Sequence, residues 1–374
     1  MYDRIVQPIL EQASIEHDVC VTTHAHHATE RMAPSYSKNN NHDNNKGNDK
    51  DISEYTAVIA IGGDGILYEC LQGIHFRDDA QTLLEQLSFG IVGAGTSNGM
   101  AKSIARSSHE RSSILDASFL IAKGKTKAAD LSVYQTRTHN PQNAAGDNSY
   151  LSFLTFNWGM VAAIDIDSEV LRSLGSLRFD LWGVWCVLKL KGYKAKFSYL
   201  PPTAEYKKNP QGTKELPPLT EALPEKDGWV TEEDDYVIFW PSHGTFASID
   251  DCSFFFMMLL CWTSTVLLLS CQFHAVSDAA EKTFHCPPSK LDDGVFQIFL
   301  VRHKNLSRLQ LAKILIGMDT GAHAQYSQVE FIECTAFRLE PDIDSINDLD
   351  GEVIESGPVQ GRVLPRTFKV FCKE

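Results

Sequence analysis

The sequence predicts two unlike halves: an N-terminal Rossmann-like or phosphofructokinase-like α/β nucleotide domain, then an all-β sandwich domain. Two observations carry this. Two strand–glycine turn–helix units follow one another between Tyr55 and Ala105, and beyond Asp130 short β-branched and aromatic runs take over. A chain of 374 residues can bury two cores.

In order along the chain, "MYDRIVQPILEQASIEHD" sets Ile5, Ile9 and Leu10 for an amphipathic helix and lacks the long apolar stretch of a secretory signal. "SYSKNNNHDNNKGNDKD" (35–51) is polar, low in complexity and aperiodic, and is expected to be a disordered insert. "YTAVIAI" has a buried-strand pattern ended by Gly62 and Gly63, after which Ile66, Leu67, Cys70, Leu71 and Ile74 line one side of a helix. "FGIVGA", "GTSNG" and "MAKSIA" repeat that plan, so a mainly parallel sheet is expected. The first domain should close near "AKGKTKAADL", giving residues 1–128 and 129–374.

In the second half "LSVYQT", "YLSFLTFNWGMVA", "AKFSYLP", "YVIFW", "GVFQIFLVRH", "VEFIECTAFRLE" and "RTFKVF" read as strands, with one helical stretch near 168–190. "YKKNPQGTKELPPLTEALPEKDG" marks a proline- and charge-rich surface loop over 206–235. "CSFFFMMLLCWTSTVLLLSCQF" (252–273) holds no charged residue. Its length suits a membrane span. Between two strands of one sandwich, however, the stretch 244–270 reads as an intervening sequence, and if translated as a membrane-touching insertion through 253–269.

The composition excludes some functions. A net charge of −14 argues against a broad surface for nucleic acid. Nine scattered cysteines without a CxxC pair suit reduced thiols in a cytoplasmic protein. His24, His26 and His27 in "THAHHATER" lack the cysteine or acid that would complete a zinc set.

A glycine turn between a strand and a helix aims backbone N–H groups and the helix dipole at one point, where a phosphate is favoured. A lone Gly-Asp-Gly is more often a simple turn in which the aspartate bonds its own backbone. Two such turns in tandem favour the phosphate.

"GGDGILYECLQGI" resembles the GGDG motif of lipid kinases with a diacylglycerol-kinase-type catalytic domain, and "GAGTSNGMAKSIA" resembles their second nucleotide loop. Through "NWGMVAAIDIDSEVLRSLGSLRF" and "AFRLEP…DGE…VQGRV" the chain is most similar to sphingosine kinases. The resemblance implies ATP and Mg²⁺ as cofactors, and phosphoryl transfer to the primary hydroxyl of a sphingoid base by a cytoplasmic, peripherally membrane-associated enzyme. It further implies that Gly62, Gly63, Gly65, Gly95 and Thr96 surround the ATP phosphates, that Asp64 accepts the lipid hydroxyl proton, and that Arg172 and Arg178 hold phosphates. Asp350 and Glu352 would place Mg²⁺, directly or through water. Asp165 would meet the sphingoid amine, with Phe179, Met318 and His323 along the lipid tail. Read without the resemblance, the arginines and Asp165 are solvated surface groups, "DGE" is a hairpin turn, and Phe179, Met318 and His323 are core.

The chain also departs from the family. It starts at the helix that normally follows a first strand and an Asn-Pro…Gly-Lys-Gly-type loop, so that strand is expected to be missing. Gly93 and Ser97 replace the usual proline and second glycine of the second loop. Alternatives are a ceramide or diacylglycerol kinase, or a weak or inactive lipid- or nucleotide-binding relative. The further glycine-rich and Asn-Glu motifs of NAD kinases are lacking, and a phosphofructokinase fits less well still.

Overall fold

The computed structural model describes residues 1–33, 50–95, 98–137, 147–175, 177–212, 214–224, 227–244, 285–318, 320–343 and 345–373. Helices α1 (Val6–Gln12) and α2 (His27–Met32) precede β1 (Ala57–Gly62), α3 (Asp64–His75), α4 (Ala80–Gln86) and β2 (Ser88–Gly93). Helices α5 (Gly99–Ser107) and α6 (Ile114–Lys123) complete this half. The apolar stripe read on α3 is the one that packs: Leu67, Cys70, Leu71 and Ile74 are all buried. Strands β1 and β2 are parallel, paired from Ala57↔Ser88 to Gly62↔Gly93.

The sandwich is built from β3 (Thr126–Thr136), β4 (Asn148–Ser152), β5 (Phe156–Gly159), β6 (Tyr193–Leu200), β7 (Val230–Ser242) and β8 (Phe296–Arg302). It continues with β9 (Val329–Cys334), β10 (Ala336–Pro341), β11 (Asn347–Leu349), β12 (Glu352–Ile354) and β13 (Val359–Phe371). The strand order is β1-β2-β13-β10-β6-β7-β5-β11-β12, with β3 beside β13 and β8 beside β7. Inside, Tyr134, Phe156, Phe296 and Phe337 meet with ring centroids 5.3 to 6.2 Å apart. A smaller core joins α7 (Leu177–Lys189) and α8 (Arg308–Gly317) to Trp240 on β7 and Phe299 on β8.

The two halves are stitched together rather than linked. Strand β13 leaves the sandwich through a bulge between Leu364 and Phe368, where Arg366 takes a φ of +54°. It then pairs in parallel with β2 at Lys369 and Val370. The expected boundary at 128/129 therefore falls inside β3, because β3 follows β13 along its whole length. Buried Gln72 of α3 adds a second tie, donating to the Leu151 carbonyl at 2.6 Å and accepting its N–H at 3.1 Å.

Other expectations need correction. The strand read through "NWGMVA" ends at Gly159, whose φ of +79° turns the chain into a helical turn at Met160–Ala162. A Cβ there would lie 3.0 Å from the Val237 carbonyl, so the turn requires glycine. The loop placed over 206–235 is shorter, since Ala204–Lys208 is helical and β7 already begins at Val230. Buried Arg338 pins that loop by donating to the carbonyls of Pro217, Pro218 and Glu221. Of the insert 35–51, Asp51 is ordered, capping Ile52–Glu54 and bonding Arg77, while 35–49 lie outside the described residues.

From the apolar stretch 244–270 only Gly244 is described. Its flanks meet: the His285 ring nitrogen lies 3.0 Å from the Ser242 hydroxyl, which also accepts the Gly244 N–H. Among the described residues no helix is long and apolar enough to cross a membrane. Strand β1 ends the strand order, with β2 as its partner among the described residues, and no strand forms over 15–23, where Val19 and Val21 are exposed.

Candidate active site

The parallel register that sets Gly62 beside Gly93 brings the two glycine turns together at the carboxyl ends of β1 and β2. A Cβ on Gly95 would lie 2.6 Å from Gly63 Cα and 2.8 Å from Gly63 N, so one turn rests on the other, backbone to backbone. Asn98, the N-cap of α5, holds the second turn: its Oδ1 accepts the Gly95 N–H at 3.1 Å and its Nδ2 donates to the Gly95 carbonyl at 2.7 Å. Thr96 and Ser97 lie outside the described residues.

Asp64 joins the turns. It is the first residue of α3, yet its carboxylate reaches the start of α5, accepting the Gly99 N–H at 2.7 Å and the Met100 N–H at 3.2 Å. The N-terminus of α5 thus faces the carboxylate that Asp64 carries at the start of α3, and fixes its direction.

The sandwich supplies the opposite wall. Glu352 on β12 places Oε1 3.5 Å from where a Gly65 Cβ would be. Burial raises its pKa, the charges of Glu69 and Asp165 raise it further, and His26 opposes them. Among the described residues nothing donates a hydrogen bond to this carboxylate. A hard oxygen ligand of this kind beside a phosphate cradle fits Mg²⁺, which keeps waters and takes one or two carboxylates.

Asp350 does not fit that role, despite the expectation for the "DGE" element. Its carboxylate is taken by the Ser152 hydroxyl and the N–H groups of Phe153, Leu154 and Thr155, at 2.8 to 3.1 Å. It is 3% exposed, and burial pushes its pKa up to about 7 against those donors. Asp350 clamps the turn between β4 and β5, which positions the hairpin carrying Glu352. Among the described residues no group of three or more His, Cys, Asp or Glu side chains is arranged to hold a metal. Of the three histidines, His24 stacks on His27 with ring centroids 4.7 Å apart and meets Glu30, His27 accepts the Thr23 N–H, and the His26 backbone N–H donates to Glu69.

Asp165 sits in a π-helical turn (Ala163–Asp167) that follows β5, beside Arg178. Glu169 binds both arginines, taking Arg178 on Oε1 and Arg172 on Oε2, the latter at 3.5 Å. Arg178 is largely covered and lies over the Phe179 ring at 4.4 Å, whereas Arg172 is 83% exposed. Phe179 and Met318 are both buried in the smaller core. His323 is fully buried, packed on Phe299 and hydrogen-bonded to the carbonyls of His285 and Gly317. Burial lowers its pKa, and the two carbonyls oppose that shift.

Sequence reasoning missed Asp348, Glu169 and Asn98. Asp348 is fully buried on β11, where burial first and then the neighbouring Asp165 charge raise its pKa well above the usual carboxylate range. Only its spacing from the "DGE" element could have drawn notice, because strand pairing, not sequence distance, brings it to Asp165.

Comparisons with known proteins agree with this geometry. Residues 2–134 match the diacylglycerol kinase catalytic domain, and residues 283–372 match the YegS C-terminal NAD kinase beta sandwich-like domain. Sphingosine kinase 1 of Arabidopsis thaliana is 26% identical over 96% of this chain, which spans 65% of that protein's length. Sphingosine kinase 1 of Mus musculus is 25% identical over 100% of this chain and 86% of its own. The crystal structure of a diacylglycerol kinase from Bacillus anthracis superposes with a TM-score of 0.56 at 16% identity, covering 99% of this chain and 89% of that one.

Proposed function

Because the chain belongs to the lipid kinases built on a diacylglycerol-kinase-type catalytic domain, we propose that it transfers the γ-phosphate of ATP to the primary hydroxyl of a sphingoid base. The observation that carries this is Asp64, at the start of α3, held by the N-terminus of α5 between two glycine turns in backbone contact. The phosphates lie against Gly62, Gly63, Gly65 and Gly95, with Thr96 next in sequence. The lipid hydroxyl oxygen attacks the γ-phosphorus, its proton passes to Asp64, and ADP leaves.

Arg178 faces the phosphates from a fixed position on Phe179, and Arg172 is the looser of the two. Glu352 would hold Mg²⁺, directly or through water, while Asp350 clamps the neighbouring turn. When bound, the metal neutralises charge on the phosphates. Such help matters here, because Asp64, Asp165, Glu169 and Glu352 all lie around the site. Asp165 receives the ammonium of the lipid head, which a neutral glyceride lacks. Phe179 and Met318 line the way for the tail, with His323 behind them.

Membrane contact is peripheral. Leu174, Leu177, Trp185 and Leu188 are exposed in and just before α7, with Lys189 against the Trp185 ring at 4.5 Å. The test is labelled-phosphate transfer to sphinganine, ceramide and diacylglycerol. Preference for sphinganine supports the reading. Equal or better transfer to diacylglycerol moves the assignment to that substrate, and no transfer to any lipid leaves a non-catalytic relative.

A further inference from the structure

Resting on that reading, we propose that Trp240 is a specificity-determining residue: its indole forms the closed inner end of the tail site and sets the longest sphingoid tail the enzyme accepts.

The smaller core has a yielding side and a stiff side. On the yielding side, α7 turns Phe179, Gly183 and Val187 inward at helical spacing, and α8 adds Leu311, Leu315 and, just past its end, Met318. Gly183 stands in the middle of the α7 stripe and brings no side chain to it. The aliphatic chains here have several rotamers, and methionine fills gaps of changing shape. An entering hydrocarbon can therefore move them aside.

The stiff side is made of rings. After the bulge in β7, alternation along the strand turns Phe239 into the main core and Trp240 into the smaller one. Trp240 stacks on His285 with ring centroids 4.3 Å apart and lies 6.2 Å from Phe299, which is 5.1 Å from His323. The circuit closes where His323 Nε2 meets the His285 carbonyl at 2.7 Å. The His285 ring is held in turn by the Ser242 hydroxyl at 3.0 Å. All four rings are fully buried.

These two sides decide where a tail goes. With its head at Asp165, ahead of α7, the lipid enters past Phe179 and displaces the chains of α7 and α8. It then meets Trp240. An indole turns about only two side-chain torsions, and this one is stacked on His285 and flanked by Phe299. A close-packed interior offers it no second position. The tail ends there, and each further methylene stays in water or folds back. A buried methylene strengthens binding about fourfold, so the gain per carbon stops at the ring.

The test uses the full chain and measures kcat/KM for saturated sphingoid bases of graded length, about 12 to 22 carbons. In the wild type kcat/KM should rise about fourfold per methylene up to one length, then level off or fall. Trp240→Leu should move that break to longer tails. The ratio of kcat/KM between the longest and shortest bases should then rise about tenfold or more, the effect of two further buried methylenes. A ratio cancels any general loss of activity or of folded protein. An unmoved break overturns the inference, as does a wild type whose kcat/KM climbs through the whole series. If Trp240→Leu does not fold, fluorescence of the wild type and the milder Trp240→Phe decides. A bromine on the last tail carbon should quench the emission that Trp240→Phe removes more strongly than a bromine beside the head group. Equal quenching by the two lipids overturns the inference. No transfer to a sphingoid base of any length refutes the functional reading itself; a length profile unmoved by Trp240→Leu refutes this inference alone.

Discussion

Replacing Gly95 by alanine tests the cradle with a single methyl group. The new Cβ would stand 2.6 Å from Gly63 Cα and 2.8 Å from Gly63 N, both backbone atoms that cannot rotate away. Carbon atoms settle at about 3.5 to 4.0 Å, so the two turns must part by about 1 Å. Overpacking of this kind costs about 1–3 kcal/mol, which a domain of ordinary stability survives. Catalysis is less tolerant: a displacement of about 1 Å between reacting groups lowers the rate by about 100-fold. The assay is labelled-phosphate transfer at varied ATP, beside thermal unfolding of the same preparation. The expected outcome is a folded protein with kcat/KM for ATP down by about two orders of magnitude. Gly65→Ala is the internal contrast, because its Cβ would meet only Glu352 Oε1 at 3.5 Å and alanine favours a helix. A Gly95→Ala variant with wild-type kinetics, or a Gly65→Ala variant equally destabilised, would refute the reasoning.

Asp64→Asn keeps the shape of the inter-helix cap but not the base; activity should fall by about 10²–10⁴-fold with a stability loss of about 1.5–3 kcal/mol, read by phosphate transfer and denaturant unfolding. Gln72→Leu should destabilise the chain by about 1–3 kcal/mol, because Leu151 loses both partners inside the interface. Asp293 and Asp350 should each make folding stability fall as pH rises from about 6 to 8. Burial raises Asp293 and Asp350 to about 7 in the folded state, so the native chain holds protons that the unfolded chain has released. The buried His243 and His285, lowered to about 3, act in the opposite sense up to about pH 7, where the unfolded chain binds their protons and the native chain does not, so the acids' contribution is read as the difference between wild type and Asp293→Asn. Asp293→Asn should flatten the slope, and denaturant midpoints at the two pH values measure it. Finally, joining Gly244 to His285 through a few small residues should leave unfolding temperature and activity unchanged, since those flanks already meet at Ser242; a chain that fails to fold would show that the excised stretch is integral.

Several elements of this protein were legible from local pattern alone. The stripe on α3, the two glycine turns and most strands follow from side-chain periodicity and backbone freedom, which act over a few residues. Asp64 stood out for the same reason, lying within the turn it serves. The boundary of the first domain did not, because β13 returns from the far end of the chain to pair with β2.

The roles of the acids divide along the same line. Asp350 and Glu352 are two residues apart, yet one is consumed by the Ser152–Thr155 turn and the other faces Gly65. Sequence cannot separate them, since neither partner is near in the chain. Asp348 comes under the Asp165 charge only because β11 pairs with β5. Thus the sequence by itself determined the glycine turns, the helix that follows each, and the aspartate between them, because those depend on neighbours along the backbone. Only the tertiary structure decided which carboxylates are clamped, paired or available, because desolvation and hydrogen bonding depend on neighbours in space.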